Sequence, residues 1–245
     1  MTTAPLFLVD ELPTGEYTVL DGPEGRHAAA VRRLRAGEEL QLADGRGGLV
    51  SAVVEVAGRD HLELRVLDRA QLAPPAPRVL LAQALVKGDR GELAVELATE
   101  AGVDAVLPWR AARCVARWED GPRGAKALAR WRTTAREAAK QARRPWLPEV
   151  TEPVTTGALA RRAAAAAATL VLHESAVAGI AGIDLPAAGD LLLVVGPEGG
   201  ITDEELTALE AAGARPVRLG PEVLRASTAA AVALGAIGVR TGRWG

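Results

Sequence analysis

Residues 191–195, Leu-Leu-Leu-Val-Val, form an unbroken apolar run, the pattern of a strand covered on both faces. Gly196-Pro197-Glu198-Gly199-Gly200 follows at once, and its glycines allow a sharp turn and the close approach of a ligand to the backbone. Thr202 with Glu205 three residues on marks a helix that opens with a capping box. That helix, with Leu206 and Leu209 facing inward, ends at Ala212-Gly213. A second short strand is expected at 216–219, then a second tight loop, Gly220-Pro221-Glu222-Val223-Leu224-Arg225, and an alanine-rich helix from about Ser227-Thr228. Strand, Gly-Pro loop and helix, twice over, point to an α/β sheet whose loops sit side by side at the carboxyl ends of the strands, where ligands bind. The glycines match neither a P-loop, having no Gly-Lys-Ser/Thr, nor the Gly-x-Gly-x-x-Gly of dinucleotide folds. On their own they fit two ordinary strand-to-helix turns equally well.

The same alternation runs through residues 78–240 and indicates a mainly parallel sheet. Strands are expected at 78–84, 104–107 and 169–172, and helices at 89–101, 123–144 and 159–168. Gly102 closes the first of these helices and Pro145 breaks the second. Residues 111–116 carry no clear pattern. Three strand ends, after Leu172, Val195 and Leu219, are candidates to line one pocket. Residues before 70 differ: short strands at 16–20, 38–42, 49–56 and 61–66, Gly-rich turns and a short helix at 27–34 have the spacing of a small barrel. Pro74-Pro75-Ala76-Pro77 is a stiff, extended linker. It separates a unit at 1–72 from one at 73–245.

Charge narrows the partners. The chain carries a formal charge of −2, yet its 123–144 helix holds Arg123, Lys126, Arg130, Arg132, Arg136, Lys140, Arg143 and Arg144 against the single acid Glu137. Segregation of that kind points to a polyanion, the alternative being a solvated helix face. Arg26, Arg32, Arg33 and Arg35 cluster on and after the first helix. The lone Cys114 excludes an internal disulfide and a cysteine-based zinc site, and His27, His61 and His173 have no metal-ligand spacing, so no metal is expected. An apolar signal segment is not evident, nor is an apolar stretch of about 18 residues, so neither export nor a membrane span is expected and the location is taken as cytoplasmic.

GPEGG followed by ITDEE, with LGPEVLRASTAAA beyond it, resembles the 16S ribosomal RNA uracil-N3 methyltransferase family, within the SPOUT superfamily of knotted S-adenosylmethionine enzymes. Further matches are Gln83-Ala84-Leu85-Val86-Lys87-Gly88-Asp89, Glu100-Ala101-Gly102-Val103, the run from Arg136 to Arg144, and His27 with Val31-Arg32. The resemblance covers nearly the whole chain. Ser227 departs from it where the family commonly has Glu, and Ala4-Pro5-Leu6-Phe7 lacks the usual Arg. The resemblance implies an α/β fold, with a trefoil-knotted methyltransferase domain on 73–245 preceded by a PUA-like RNA-binding β-barrel on 1–72. It also implies a homodimer, S-adenosylmethionine as cofactor, and 16S ribosomal RNA or the small ribosomal subunit as partner.

The implied cofactor pocket takes Leu172, His173 and Glu174; Gly196, Pro197, Glu198, Gly199 and Gly200; Leu219 and Gly220; and Leu224, Ser227, Thr228 and Ala229. Loop N–H and C=O groups can read the adenine edge, while Glu174 or Glu198 can meet ribose hydroxyls or the sulfonium charge. Gly199 is expected to hold a positive φ that a β-branched residue would resist. The implied RNA contacts are Arg26, Arg32, Lys87, Arg136, Lys140 and Arg143. Methylation at N3 removes a weakly acidic imide proton, and charge spreads onto O2 and O4. The catalytic candidate is Arg225, a permanent cation suited to clamp that charge; its alternative is an ion pair that holds the loop. No residue is identified as the base; Glu198 and water are the candidates. Two other readings compete. A ribose 2′-O-methyltransferase of the same superfamily carries Ser-Leu-Asn in the last loop, where this chain has Leu224-Arg225-Ala226-Ser227. A non-catalytic RNA-binding protein would use only the barrel and the basic helix.

Overall fold

The computed structural model describes residues 4–244, and the outer limits expected for the two units, residues 1 and 245, lie outside the described residues. The chain divides into two compact units, one formed by residues up to Pro74 together with Ala139–Leu147, the other by Pro75–Ala138 and the residues from Pro148 on.

In the first unit β1 (Leu6–Leu8), β2 (Tyr17–Leu20), β3 (Glu39–Ala43), β4 (Gly48–Ala57) and β5 (Leu62–Gln71) form a mixed half-barrel sheet in the order β1-β3-β4-β5-β2. Strict alternation along β4 turns Val50, Ala52 and Val54 inward, onto a core of Phe7, Leu40, Leu42, Leu62 and Leu64. β1 is absent from the sequence reading, because three residues, all buried, are too short to display a period. It pairs parallel to β3. The short helix also differs from expectation: α1 (Gly22–Arg26) runs directly into a π-helical turn, His27–Val31. The β3–β4 turn is closed by Asp44, whose Oδ1 accepts from the N–H of Arg46 and of Gly48 at 2.7 and 3.0 Å. Only glycine fits at position 47, where φ is +89° and a β-carbon would lie 2.5 Å from the Trp146 ring.

In the second unit β6 (Arg78–Ala84), β7 (Ala105–Trp109), β8 (Glu149–Val150), β9 (Ala168–Leu172), β10 (Asp190–Val195) and β11 (Arg215–Val217) form one sheet, ordered β11-β9-β10-β6-β7-β8. Every pairing in it is parallel. Helices α2 (Arg90–Glu100), α3 (Pro122–Gln141), α4 (Thr156–Ala165), α5 (Asp203–Ala211) and α6 (Ala226–Thr241) connect or follow the strands. The apolar run that dominates the sequence is β10, set between β9 and β6, with Leu191–Val195 wholly buried. α2 packs against α6, and α4 against α5. Trp131 of α3 is core, with its ring edge-on to Trp118 and pressed against Gly91. A second anchor closes the sheet near Arg243. Its guanidinium meets Asp104 Oδ2 at 2.8 Å and donates to the carbonyls of Gly102 and Pro77, while the Trp244 ring lies over Gly235 and Gly238 of α6.

Candidate functional site

The carboxyl ends of β9, β10 and β11 meet at one cavity of about 780 Å³. β9 contributes Leu172, His173 and Glu174; β10 contributes Gly196, Pro197, Glu198, Gly199 and Gly200; beyond β11 come Leu219, Gly220, Leu224, Arg225, Ser227 and Ala229. The three strand ends therefore converge as their loop chemistry suggests. Thr228 does not line the cavity. Its hydroxyl donates to the Arg225 carbonyl at 3.2 Å and is spent on the first turn of α6. Ser227, the departure from the family pattern, is buried and faces the cavity.

The loop after β10 is fixed from both ends. Thr202 Oγ1 accepts from the Glu205 N–H and Glu205 Oε2 accepts from the Thr202 N–H, both at 3.2 Å, so α5 opens with the expected capping box. Glu205 does more than cap. Its Oε1 accepts from the Ala112 N–H at 2.8 Å and from Thr156 Oγ1 at 2.9 Å, which ties the loop to α4 and to the segment after β7. Glu205 thus joins these three elements. Next to it, Glu204 titrates below the usual carboxylate range, because its own N–H and the Thr202 hydroxyl donate to its charged form.

The left-handed residue in this loop is Gly200, with φ +76°, and not Gly199 as expected. What crowds a side chain at Gly199 is Arg113: a β-carbon there would lie 3.2 Å from Arg113 Cβ. Arg113 Nη1 also donates to the Gly199 carbonyl at 3.1 Å, and Arg90 pairs with Glu198 at 3.7 Å. Both arginines line the cavity. Neither is legible from its surroundings in sequence. Arg113 sits 86 residues from its partner, in the stretch that shows no pattern. Cys114 beside it is buried, and that burial pushes its thiol up.

His173 closes the opposite wall. Its N–H donates to the Val217 carbonyl at 3.0 Å, and its Nδ1 lies 2.9 Å from Ser175 Oγ. Arg225 anchors α6 through its carbonyl, which accepts from the N–H groups of Thr228 and Ala229 at 3.0 Å each. Its side chain is exposed at the cavity and makes no ion pair among the described residues. The cavity thus combines bare backbone, apolar walls from Val195, Val217 and Leu219, and charges of both signs. Its volume suits a small ligand, and its polar groups suit one that carries a carboxylate, a cation and a heterocyclic edge.

The residues singled out for RNA separate into three environments. Arg26, Arg32, Lys87 and Arg143 are exposed, and Arg136 on α3 is half-buried. Lys140 is buried: its ammonium lies 2.8 Å from Glu24 Oε1, which withdraws it from the solvent-facing set. Arg130 pairs with Glu92 and Arg132 with Glu152, each at 3.0 Å. A count along the helix cannot see these acids, which approach from other elements. Among the described residues no cluster of His, Cys, Asp or Glu could hold a metal, and no helix is long and apolar enough to cross a membrane.

Comparison with known proteins assigns both units. Residues 74–238 match the model of an RNA methyltransferase domain, and residues 20–67 that of an RNA methyltransferase PUA domain. The chain is 58% identical over 246 residues to ribosomal RNA small subunit methyltransferase E of Mycobacterium tuberculosis (strain CDC 1551 / Oshkosh), a match covering 98% of this chain and 94% of that protein. The protein of the same name from Bacillus subtilis (strain 168) is 31% identical over 242 residues, covering 95% and 93%. A crystal structure of ribosomal RNA small subunit methyltransferase E from Neisseria gonorrhoeae, bound to S-adenosyl methionine, superposes with a TM-score of 0.82 at 27% identity, over 96% of this chain and 97% of that one. With two domain models on its two units, and relatives matched along nearly their full length, the chain belongs to the ribosomal RNA small subunit methyltransferase E family.

Proposed function

We propose that this protein transfers the methyl group of S-adenosylmethionine to N3 of a uridine in 16S ribosomal RNA of the small ribosomal subunit. The observation that carries the reading is the convergence of three strand-end loops, two of them Gly-Pro, on a single cavity that Arg225 overlooks. Relatives named for methylation of small-subunit ribosomal RNA supply the substrate. When bound, the cofactor supplies an electrophilic methyl group. The bare backbone of Gly199 and Gly200 lets the ligand edge approach, Leu219 and Leu224 cover its apolar face, and Glu174 or Glu198 holds its hydroxyls. Leu172, His173, Gly196, Pro197, Gly220, Ser227 and Ala229 complete the walls. Thr228 acts on the pocket by setting the first turn of α6.

Arg225 places a fixed cation where negative charge grows on the uracil oxygens, and positioning does the rest. The imide proton leaves to Glu198 or to water. Arg26, Arg32, Lys87, Arg136 and Arg143 supply phosphate contacts. Residues 1–72 act as the RNA-binding module and 73–245 as the methyltransferase domain, in the cytoplasm. The second domain is trefoil-knotted after the superfamily, so the segment beyond Val195 threads a loop. The protein works as a homodimer; exposed Val232 and Val239 on α6 are an apolar face suited to a second copy. Light scattering should return twice the chain mass, and a fully active monomer would exclude the dimer.

Treatment of small-subunit ribosomal RNA from a strain lacking the protein, followed by mass spectrometry of the nucleosides, should yield N3-methyluridine. A 2′-O-methylated nucleoside instead would identify the ribose enzyme. No product, with no heat of S-adenosylmethionine binding by calorimetry, would leave only RNA binding.

A further inference from the structure

A second cavity, of about 310 Å³, lies beside the first. Leu85, Ala111, Cys114, Ala116 and the Trp118 ring give it apolar walls, and the exposed Arg110 and Arg117 bring positive charge to it. The two cavities share a wall. Val86 lines the first and its neighbour Leu85 the second; Arg113 lines the first, while Ala112 and Cys114 on either side of it line the second. Charge is felt across that wall. Burial is the main cause that pushes the Cys114 thiol up, and the carboxylates of Glu205 and Glu198 add to it, Glu198 being a residue of the first cavity.

The aromatic wall is fixed in advance. Trp118 is half-buried, its ring centroid 4.8 Å from that of Trp131, and Trp131 is itself buried and pressed against Gly91 in the first turn of α2. A ring already held in place costs little further ordering when a second ring stacks on it. Arg110 Nη2 lies 3.0 Å from Asp120 Oδ1, but that aspartate side chain is 94% exposed, and so open a pair is readily exchanged for a phosphate. The reaction itself requires a receptacle of this kind. N3 lies on the pairing edge of uracil, so the base must leave any pair and turn out of its stack before a methyl group can reach it. Unstacked RNA bases are received on aromatic rings. With the cofactor in the larger cavity, the base needs a site that adjoins it. The second cavity does so, and its volume, at the lower end of the roughly 300–1,000 Å³ of ligand sites, suits a base of one ring.

We propose that this second cavity receives the extruded target uracil, stacked on Trp118, with Arg110 and Arg117 on the side of its phosphate; the assignment rests on the reading of the first cavity as that of the methyl donor and of ribosomal RNA as the substrate.

The test is a photocrosslink between the full-length protein and small-subunit ribosomal RNA that carries 4-thiouridine at the position the protein methylates. The crosslink should fall within residues 110–119, and a crosslink confined to other segments would overturn the site. Two variants read the same site by rate. Ala116→Phe fills the cavity and leaves the Trp118–Trp131 contact in place. It should keep its S-adenosylmethionine affinity, measured by calorimetry, and lose about tenfold or more in kcat/KM for RNA. Trp118→Ala should lose a similar factor, and Trp118→Phe, which restores a ring, should recover most of it. Wild-type kcat/KM in both Ala116→Phe and Trp118→Ala would likewise count against the cavity. Parent protein that forms no N3-methyluridine would sink the proposed function, and this inference with it; a parent that forms it confines any failure to the second cavity.

Discussion

Arg225 separates charge from geometry. Arg225→Lys keeps the cation and loses the planar fork, so single-turnover rates should fall about tenfold or more, equivalent to about 1.4 kcal/mol or above, with S-adenosylmethionine affinity unchanged. Equal rates would make the residue structural. Gly199→Val should abolish cofactor binding in a folded protein, read by calorimetry. The reason lies with the Arg113 side chain and carbonyl packed against Gly199, and not with backbone handedness, which belongs to Gly200. Cys114 titrates in the opposite sense from an active thiol. Burial holds its folded pKa above the ordinary value of about 8.5, so its stabilising contribution is full below that pH and is lost as pH rises through the folded pKa. Alkylation of the native protein should be slow at neutral pH and should accelerate only in alkali or on unfolding.

Elements differed in how plainly the sequence announced them. β10 is visible because five consecutive apolar residues admit few alternatives, and α5 because its capping box is a local signal. Both depend on neighbours in sequence. β1 and the π-helical turn are too short to carry a period, and they exist because the half-barrel supplies partners. α3 stops at Gln141, short of the expected Arg144, since nothing in arginine's helix propensity forewarns of a left-handed Arg143. The glycine loops of the site were legible, whereas Arg90, Arg113 and the far side of Glu205 were not, because each acts on a partner supplied by another element. Glu205→Ala removes the cap and leaves the Ala112 N–H and the Thr156 hydroxyl without their acceptor. Thermal denaturation should show a loss of about 2–4 kcal/mol, more than the roughly 1 kcal/mol of Thr202→Ala, which forfeits only a cap.

At the scale of the molecule, a linear boundary near Pro74 describes the linker but not the partition, since Ala139–Leu147 returns to the first unit. The second unit is closed by contacts of great sequence separation. Arg243 donates to the carbonyl of Pro77, 166 residues earlier, and its pair with Asp104 is more than nine-tenths buried. Arg243→Ala removes the guanidinium from that buried carboxylate, and chemical denaturation should report a loss of about 3–5 kcal/mol. The same contact sets a timetable for biosynthesis. Chains fold from the N-terminus as they emerge from the ribosome. β6 must wait for β10, the pocket must wait for residues 224–229, and Asp104 must wait for Arg243 before the sheet can lock. In a nascent copy the first unit needs residues through Leu147, and the strand-end cavity needs residues through Ala229. A chain synthesised past Leu147 and not yet to Ala229 holds all the residues of the first unit and lacks part of the strand-end cavity.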